Sequence, residues 1–235
     1  MHVLKLGSTY DHLREHHGDF EDWTAHALGL PRSALNVVDV RAGDPLPSVS
    51  ECRGIIMTGS HAMVSHREPW SEAVADWLPG IVAAEVPLLG ICYGHQLLAH
   101  AFGGEVGDHP EGKEIGTVDV ALERPATDDP LFSRMPPRFR AHATHTQSVL
   151  TLPDAAVHLA GNAFEPHHAF RIGRRAWGVQ FHPEYDTELM AAYIDGQAET
   201  LEAAGRDLDA IHRTVAPTPE ATELLRRFLN RFVAA

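Results

Sequence analysis

The sequence predicts an α/β fold, a mostly parallel sheet with helices on both faces, and three observations point to it. From Val3 to Phe102, short apolar runs alternate with amphipathic helical stretches, the pattern of βαβ units around a parallel sheet. The stretch Leu88–His100 passes from an apolar run through Gly90-Ile91-Cys92-Tyr93-Gly94 into an amphipathic segment, which reads as strand, sharp turn and helix. The length of 235 residues, with 44% hydrophobic and 22% charged, suits one α/β domain able to bury a sizeable core.

Val3–Gly7 is the first strand, an apolar run ending in Gly-Ser. Tyr10–Gly18 is polar and His-rich and is expected to be a loop. Phe20, Trp23, Ala27 and Leu28 give a helix over Phe20–Leu28, closed by Gly29. Ala34–Val40 is a second strand, and Gly54–Thr58 a buried one closed by Gly59-Ser60. Trp70, Val74, Trp77, Leu78 and Ile81 form a helical stripe over Pro69–Ala84, which Pro79-Gly80 should kink or split.

After Phe102 the strands become short and are punctuated by Gly and Pro: Glu105–Gly107, Gly116–Leu122, Phe139–Ala143, Val157–Ala160, Ala169–Ile172 and Ala176–Phe181. This part is expected to be antiparallel. Thr187–Ala204 reads as one helix with Leu189, Met190, Tyr193, Ile194 and Leu201 on one face. Thr218-Pro219 opens a last helix, with a hydroxyl cap and proline at the first position. Its stripe of Leu225, Phe228, Leu229, Phe232 and Val233 either covers the sheet or pairs with a second subunit, which leaves homodimerisation open. No repeat or long linker interrupts the chain, so residues 1–235 read as one domain, a core to about 195 and a helical C-terminal extension over about 196–235.

The 32 acidic and 19 basic residues leave a net charge of −13, which argues against a nucleic-acid partner. Neither a signal peptide nor an apolar run of membrane-spanning length is evident. Two cysteines, Cys52 and Cys92, are too few for a disulfide framework and fit a reducing, cytoplasmic compartment.

Cys92 stands at the centre of Gly-x-Cys-x-Gly, the nucleophile-elbow pattern with Cys in place of Ser. Such a turn lifts the sulfur out of the sheet, and the amides opening the next helix favour its charged form. The plain alternative is a buried cysteine acting as a small apolar filler, the expected role of Cys52. A thiol nucleophile needs a base, and the base needs a third group to orient it. Val179-Gln180-Phe181 leads as a strand into His182-Pro183-Glu184, which puts His182 at a strand end and Glu184 within reach of its ring. The separation, 182 − 92 = 90 residues, must be closed by the fold.

Together, Gly90-Ile91-Cys92-Tyr93-Gly94-His95-Gln96 and Phe181-His182-Pro183-Glu184 resemble the two signatures of class I glutamine amidotransferase domains. Met57-Thr58-Gly59-Ser60 resembles that family's oxyanion strand, and Gly103-Gly104-Glu105-Val106 its Gly-Gly stretch after the elbow helix. Lys113-Glu114-Ile115-Gly116 resembles the Arg-Glu-Phe/Tyr-Gly element of the GMP synthetase glutaminase domain, and Ala143–Val149 falls at its Ser-His-Gly-Asp-type segment. The resemblance covers about residues 1–195.

It implies a flavodoxin-like sheet and a site that needs no cofactor or metal. Cys92 is then the nucleophile that forms a γ-glutamyl thioester, His182 the acid and base, and Glu184 its orienting group. The backbone amides of Gly59 and Tyr93 form the oxyanion hole, Gln96 helps to hold the substrate, and the backbone around Thr144, His145 and Thr146 binds its amino and carboxylate groups. The chain departs from the pattern at Gly59-Ser60-His61, where Gly-Gly-Pro is common, and at Gln147, where Asp is usual. No synthase domain follows the resemblance within 235 residues. The implied substrate is glutamine, with the ammonia passing to a separate synthase subunit. The alternatives are a stand-alone γ-glutamyl peptidase with the same three residues, and a non-catalytic regulatory or binding subunit that kept the fold.

Of the 17 histidines, His142 and His145 are three apart on a strand and face opposite ways, so they do not share a metal. His61 and His66 lie in a polar loop beside the oxyanion turn, where His61 can shape the pocket. His12, His16, His17, His167 and His168 are expected to be solvated.

Overall fold

The computed structural model describes Met1–Ala234. The strands are β1 His2–Lys5, β2 Asn36–Asp39, β3 Ile55–Met57, β4 Leu88–Ile91, β5 Glu105–Asp108, β6 Glu114–Leu122, β7 Arg138–His145, β8 Gln147–Thr151, β9 Ala156–Gly161, β10 Ala169–Ile172 and β11 Ala176–Val179. The helices are α1 Asp11–His17, α2 Phe20–Leu28, α3 Pro69–Ala83, α4 Tyr93–Ala101, α5 Thr187–Asp195, α6 Ala198–Ala203, α7 Leu208–Thr214 and α8 Pro219–Phe228.

Nine strands form one sheet in the order β2-β1-β3-β4-β11-β10-β9-β6-β7, while β5 and β8 pair separately. From β2 to β11 every pairing is parallel, and the order is that of a flavodoxin-like sheet with β11 as its fifth strand. From β11 to β7 every pairing is antiparallel. The parallel strands alternate between two cores, as a two-residue period requires. Val3, Ile56 and Leu89 face α2 and α8, while Leu4, Ile55, Met57 and Leu88 face α3 and α4.

The last helix covers the sheet. Leu224, Leu225 and Phe228 are fully buried, and the Phe228 ring meets Trp177 of β11 edge-on at 6.2 Å. Arg226 and Arg227, opposite that stripe, donate to the carbonyls of Ala27 and Leu131. Replacing Phe228 with alanine is expected to cost about 3–5 kcal/mol, the usual penalty for emptying a buried aromatic site. Urea denaturation checks this, and a loss below about 1 kcal/mol, the level of an ordinary surface change, would mean that α8 does not belong to the core.

Four local expectations change. Tyr10–Gly18 contains a helix, α1, whose only buried residue is Leu13. One apolar anchor packed beside Tyr193 and Ile194 is enough to hold it, though it leaves no periodic stripe. Helix α3 runs unbroken through Pro79, which is exposed with Gly80 while Val74, Leu78 and Ile81 hold the other side on the sheet. The lost hydrogen bond therefore falls on the wet face, where water can replace it. The expected helix over 187–204 is instead split at Gly196-Gln197. The Gln197 amide turns back to Ile194, and its side chain takes the Tyr193 carbonyl that a continuing helix would use. Finally, the strand read at Ala176–Phe181 within the antiparallel part becomes β11, which pairs parallel with β4 on one side and antiparallel with β10 on the other.

Candidate active site

Three adjacent strands, β3, β4 and β11, deliver the candidate residues at their carboxyl ends, where open α/β sheets bind ligands. Gly59 follows β3, Cys92 follows β4, and His182 follows β11.

The β4–α4 turn is forced tight. Cys92 has φ 50° and ψ −99°, a conformation that side-chain-bearing residues rarely adopt. A Cβ on Gly90 would lie 2.4 Å from the Gly94 carbonyl oxygen, and one on Gly94 would lie 2.8 Å from that of Met57. Only glycine lets these backbone segments approach so closely. Cys92 is 6% exposed and opens into a cavity. The Tyr93 amide begins α4 and is among the helix's first four donors, which have no acceptor within it. The Tyr93 ring is anchored by a 2.8 Å bond between its hydroxyl and Ser71.

His182 donates from Nδ1 to Glu184 Oε1 at 2.8 Å, and both are buried. Its amide donates to the His142 carbonyl at 2.8 Å, tying the β11 end to β7. Tyr185 stacks on the imidazole at 4.1 Å, and Phe20 lies nearly parallel to it at 6.5 Å. Phe20 is set by Asp19, which caps α2 and accepts from Thr9 and Phe20 amides and from Lys5. Burial alone pushes His182 down, but the Glu184 carboxylate and the Cys92 sulfur outweigh it and raise its pKa to about 10. His142 behind it is pushed down to about 4 by burial and by the His182 charge. One imidazole is thus held as a cation and its neighbour as a neutral ring. Gly59 touches the same centre, since a Cβ there would meet His182 at 3.2 Å and Phe20 at 3.1 Å.

Gln96, Thr144, His145 and Thr146 all line the cavity. The side chains of Gln96 and His145, however, are engaged in bonds within the protein. Gln96 donates to the Gln147 carbonyl at 2.6 Å and to Gln180 at 3.0 Å. His145 bonds Glu114 at 2.9 Å and the Gln147 carbonyl at 3.0 Å. His168, expected to be solvated, is fully buried 3.2 Å from the same Glu114 carboxylate. Burial pushes the Glu114 carboxyl up, but the two imidazoles outweigh it and hold it far below the usual range. This buried network fixes the end of β7, with Thr144, and the one-residue connection to β8, Thr146. Gln147, at the position where Asp was expected, donates to Ser65 and Asp108 and so secures the loop after His61.

The cavity, about 120 Å³, is several times the ~30 Å³ share of a liquid water and below the ~300–1,000 Å³ of drug-sized sites. Lining residues outside the sequence expectations for the site include Tyr10, Phe20, Tyr193, Gln197 and Lys113. Lys113 was visible only as part of a resembling element, and Gln197 lies in a stretch without a motif. His61 also lines the cavity, 4.1 Å from Tyr10 ring to ring. Cys52 is buried, and its thiol donates to the Ser48 carbonyl at 3.4 Å. Among the described residues no cluster of His, Cys, Asp and Glu could hold a metal ion, and no helix is long and apolar enough to cross a membrane.

The model of the class I glutamine amidotransferase family matches residues 13–196. A glutamine-hydrolysing GMP synthase of Porphyromonas gingivalis is 32% identical over 185 residues, which cover 75% of this chain and 35% of that protein. One subunit of the glutamine-hydrolysing GMP synthase of Methanocaldococcus jannaschii is 33% identical over 142 residues, 60% of this chain and 69% of that subunit. The chain therefore spans about a third of the length of the P. gingivalis relative. A solved glutamine amidotransferase from Thermotoga maritima superposes with a TM-score of 0.78 at 23% identity, covering 100% of this chain and 99% of its own.

Proposed function

The chain belongs to the class I glutamine amidotransferase family, and from that premise we propose that it hydrolyses the side-chain amide of glutamine through a thioester on Cys92. The observation that carries this reading is the meeting of three strand ends. They bring a strained, cavity-facing cysteine, a glycine turn and a carboxylate-bonded imidazole to one small pocket.

The chemistry balances on these groups. The Cys92 sulfur attacks the amide carbon, and the carbonyl electrons move onto oxygen, where the amides of Gly59 and Tyr93 donate to it. Such donors are typically worth about 3 kcal/mol each in the transition state. As the carbon–nitrogen bond breaks, the His182 imidazolium gives its Nε2 proton to the leaving nitrogen, and ammonia departs. The now neutral imidazole takes a proton from water, the hydroxide attacks the thioester, and glutamate leaves as the sulfur regains its charge. Glu184 holds the ring so that Nε2 faces the reaction throughout.

Ammonia released here serves a separate synthase subunit in this reading. The likeness to one subunit of the M. jannaschii GMP synthase supports such an arrangement. The second reading, a γ-glutamyl peptidase, is favoured by the aromatic surface of Tyr10, His61 and Tyr193 around the cavity, which the ammonia of glutamine does not need. Ammonia release from glutamine, measured against glutamate release from γ-glutamyl dipeptides, separates the two.

The direct test is a diazoketone analogue of glutamine, with its adduct mapped by mass spectrometry. We expect one adduct, on Cys92, with glutamine protecting against it. An adduct on Cys52, or none, would overturn the assignment.

A further inference from the structure

The chain carries 32 acidic and 19 basic residues, yet no aspartate or glutamate lines the cavity at Cys92. Its one Lys or Arg is Lys113, just before β6. An ammonium has three protons to donate. One goes to Gln197 Oε1, and among the described residues no carboxylate lies within ion-pair distance of the nitrogen. Burial pushes the ammonium down, and only the Cys92 sulfur opposes this. A half-buried cation without a counter-ion still carries a desolvation cost, and a ligand carboxylate would supply the missing partner.

The position of Lys113 is held from the C-terminal extension. Gln197 is one residue past the segment matched by the family model. Its Nε2 donates to the Tyr193 carbonyl at 3.0 Å and lies 3.4 Å from Thr144 Oγ1, leaving Oε1 aimed at Lys113. Arg206, between α6 and α7, donates to the Lys113 carbonyl at 2.9 Å. The break between α5 and α6 thus has a use: it turns Gln197 inward.

We propose that Lys113, oriented by Gln197, is the specificity residue that binds a carboxylate of the substrate, and that the extension is a wall of the site. This rests on the γ-glutamyl reading and adds to it the group recognised. That carboxylate is the α-carboxylate of the glutamyl unit or one on the leaving amine, and the substrates chosen below distinguish them.

The experiment compares wild type with Lys113→Met and Lys113→Arg. In Lys113→Met, KM is expected to rise about 10–100-fold, the worth of one charge-assisted hydrogen bond, with a much smaller change in kcat, for glutamine if the α-carboxylate is read and for γ-glutamylglycine alone if the leaving amine is read. Lys113→Arg should recover most of it. If the α-carboxylate is read, γ-aminobutyramide, which lacks it, is turned over equally by wild type and Lys113→Met. If the leaving amine is read, the loss appears with γ-glutamylglycine and not with γ-glutamylmethylamide.

A second readout needs no turnover. The rate of Cys92 alkylation by iodoacetate, divided by that with neutral iodoacetamide, should fall about 10-fold in Lys113→Met, on the same charge argument. An unchanged ratio, or an equal loss on every substrate, overturns the proposal and makes Lys113 structural. A wild-type protein that cleaves no γ-glutamyl compound defeats the functional reading instead, while the alkylation ratio still decides the role of Lys113.

Discussion

Replacing Cys92 with alanine is expected to abolish glutamine hydrolysis, a loss of about 10⁴–10⁶-fold, as for removal of the nucleophile in other covalent hydrolases. No other cysteine can substitute, because Cys52 lies outside the cavity lining. A variant that kept even a tenth of the activity would show that the sulfur is not the nucleophile.

The same position makes a second, less ordinary forecast, about stability. Glycine in an ordered segment normally costs about 0.5–1 kcal/mol relative to alanine, because the unfolded chain is freer. At Cys92 the backbone sits at φ 50° and ψ −99°, and strain of that kind costs about 1–3 kcal/mol for any residue with a Cβ. Relief of strain therefore offsets or exceeds the entropic term. We expect Cys92→Gly to be at least as stable as Cys92→Ala in urea denaturation, although both are inactive. Alanine ahead of glycine by a full kcal/mol or more would mean that the turn carries no strain.

Legibility in the sequence followed how local each signal was. The elbow could be read because its two glycines are demanded by contacts within a few residues or on a neighbouring strand, Gly90 against Gly94 and Gly94 against Met57. His182-Pro183-Glu184 could be read because the imidazole and the carboxylate it bonds are two residues apart. Helix α1 could not, because a single Leu13 gives no period. Gln197 sits in a stretch whose sequence reads as one helix, and it matters through Lys113, 84 residues earlier in the chain. His168 looked solvated beside His167, and becomes a buried partner of Glu114 only when β10 folds next to β9. Histidine count alone does not find the site: His142 and His168 are buried outside the cavity lining, while His61, His145 and His182 all line it, and only the bonding partners of each ring tell them apart.

Glu184→Gln is expected to lower kcat/KM about 10²–10⁴-fold with little change in shape, by analogy with amide replacement of the orienting acid in other triads. Glutamine fills the same buried site but presents no charge to the Nδ1 proton of His182. The pH profile separates this from a structural effect. In the wild type the Glu184 carboxylate and the Cys92 sulfur outweigh burial and hold the imidazolium to about pH 10. In the proposed mechanism proton donation to the leaving nitrogen needs that imidazolium, so the alkaline limb of kcat/KM is expected well above the ~6.5 of a free histidine. Removing the carboxylate leaves burial less opposed, and the limb moves to lower pH. The sign for stability follows from the same raised value. Protonation of His182 favours the folded state, so its contribution is complete below about pH 6.5 and fades as pH rises through the folded pKa. Glu184→Gln should therefore be destabilised most between about pH 5 and 6.5, with the gap from wild type narrowing toward pH 10. Denaturation curves at several pH values measure that gap. A limb that stayed in place with a constant stability gap would mean that Glu184 holds the turn and does not govern the charge of His182.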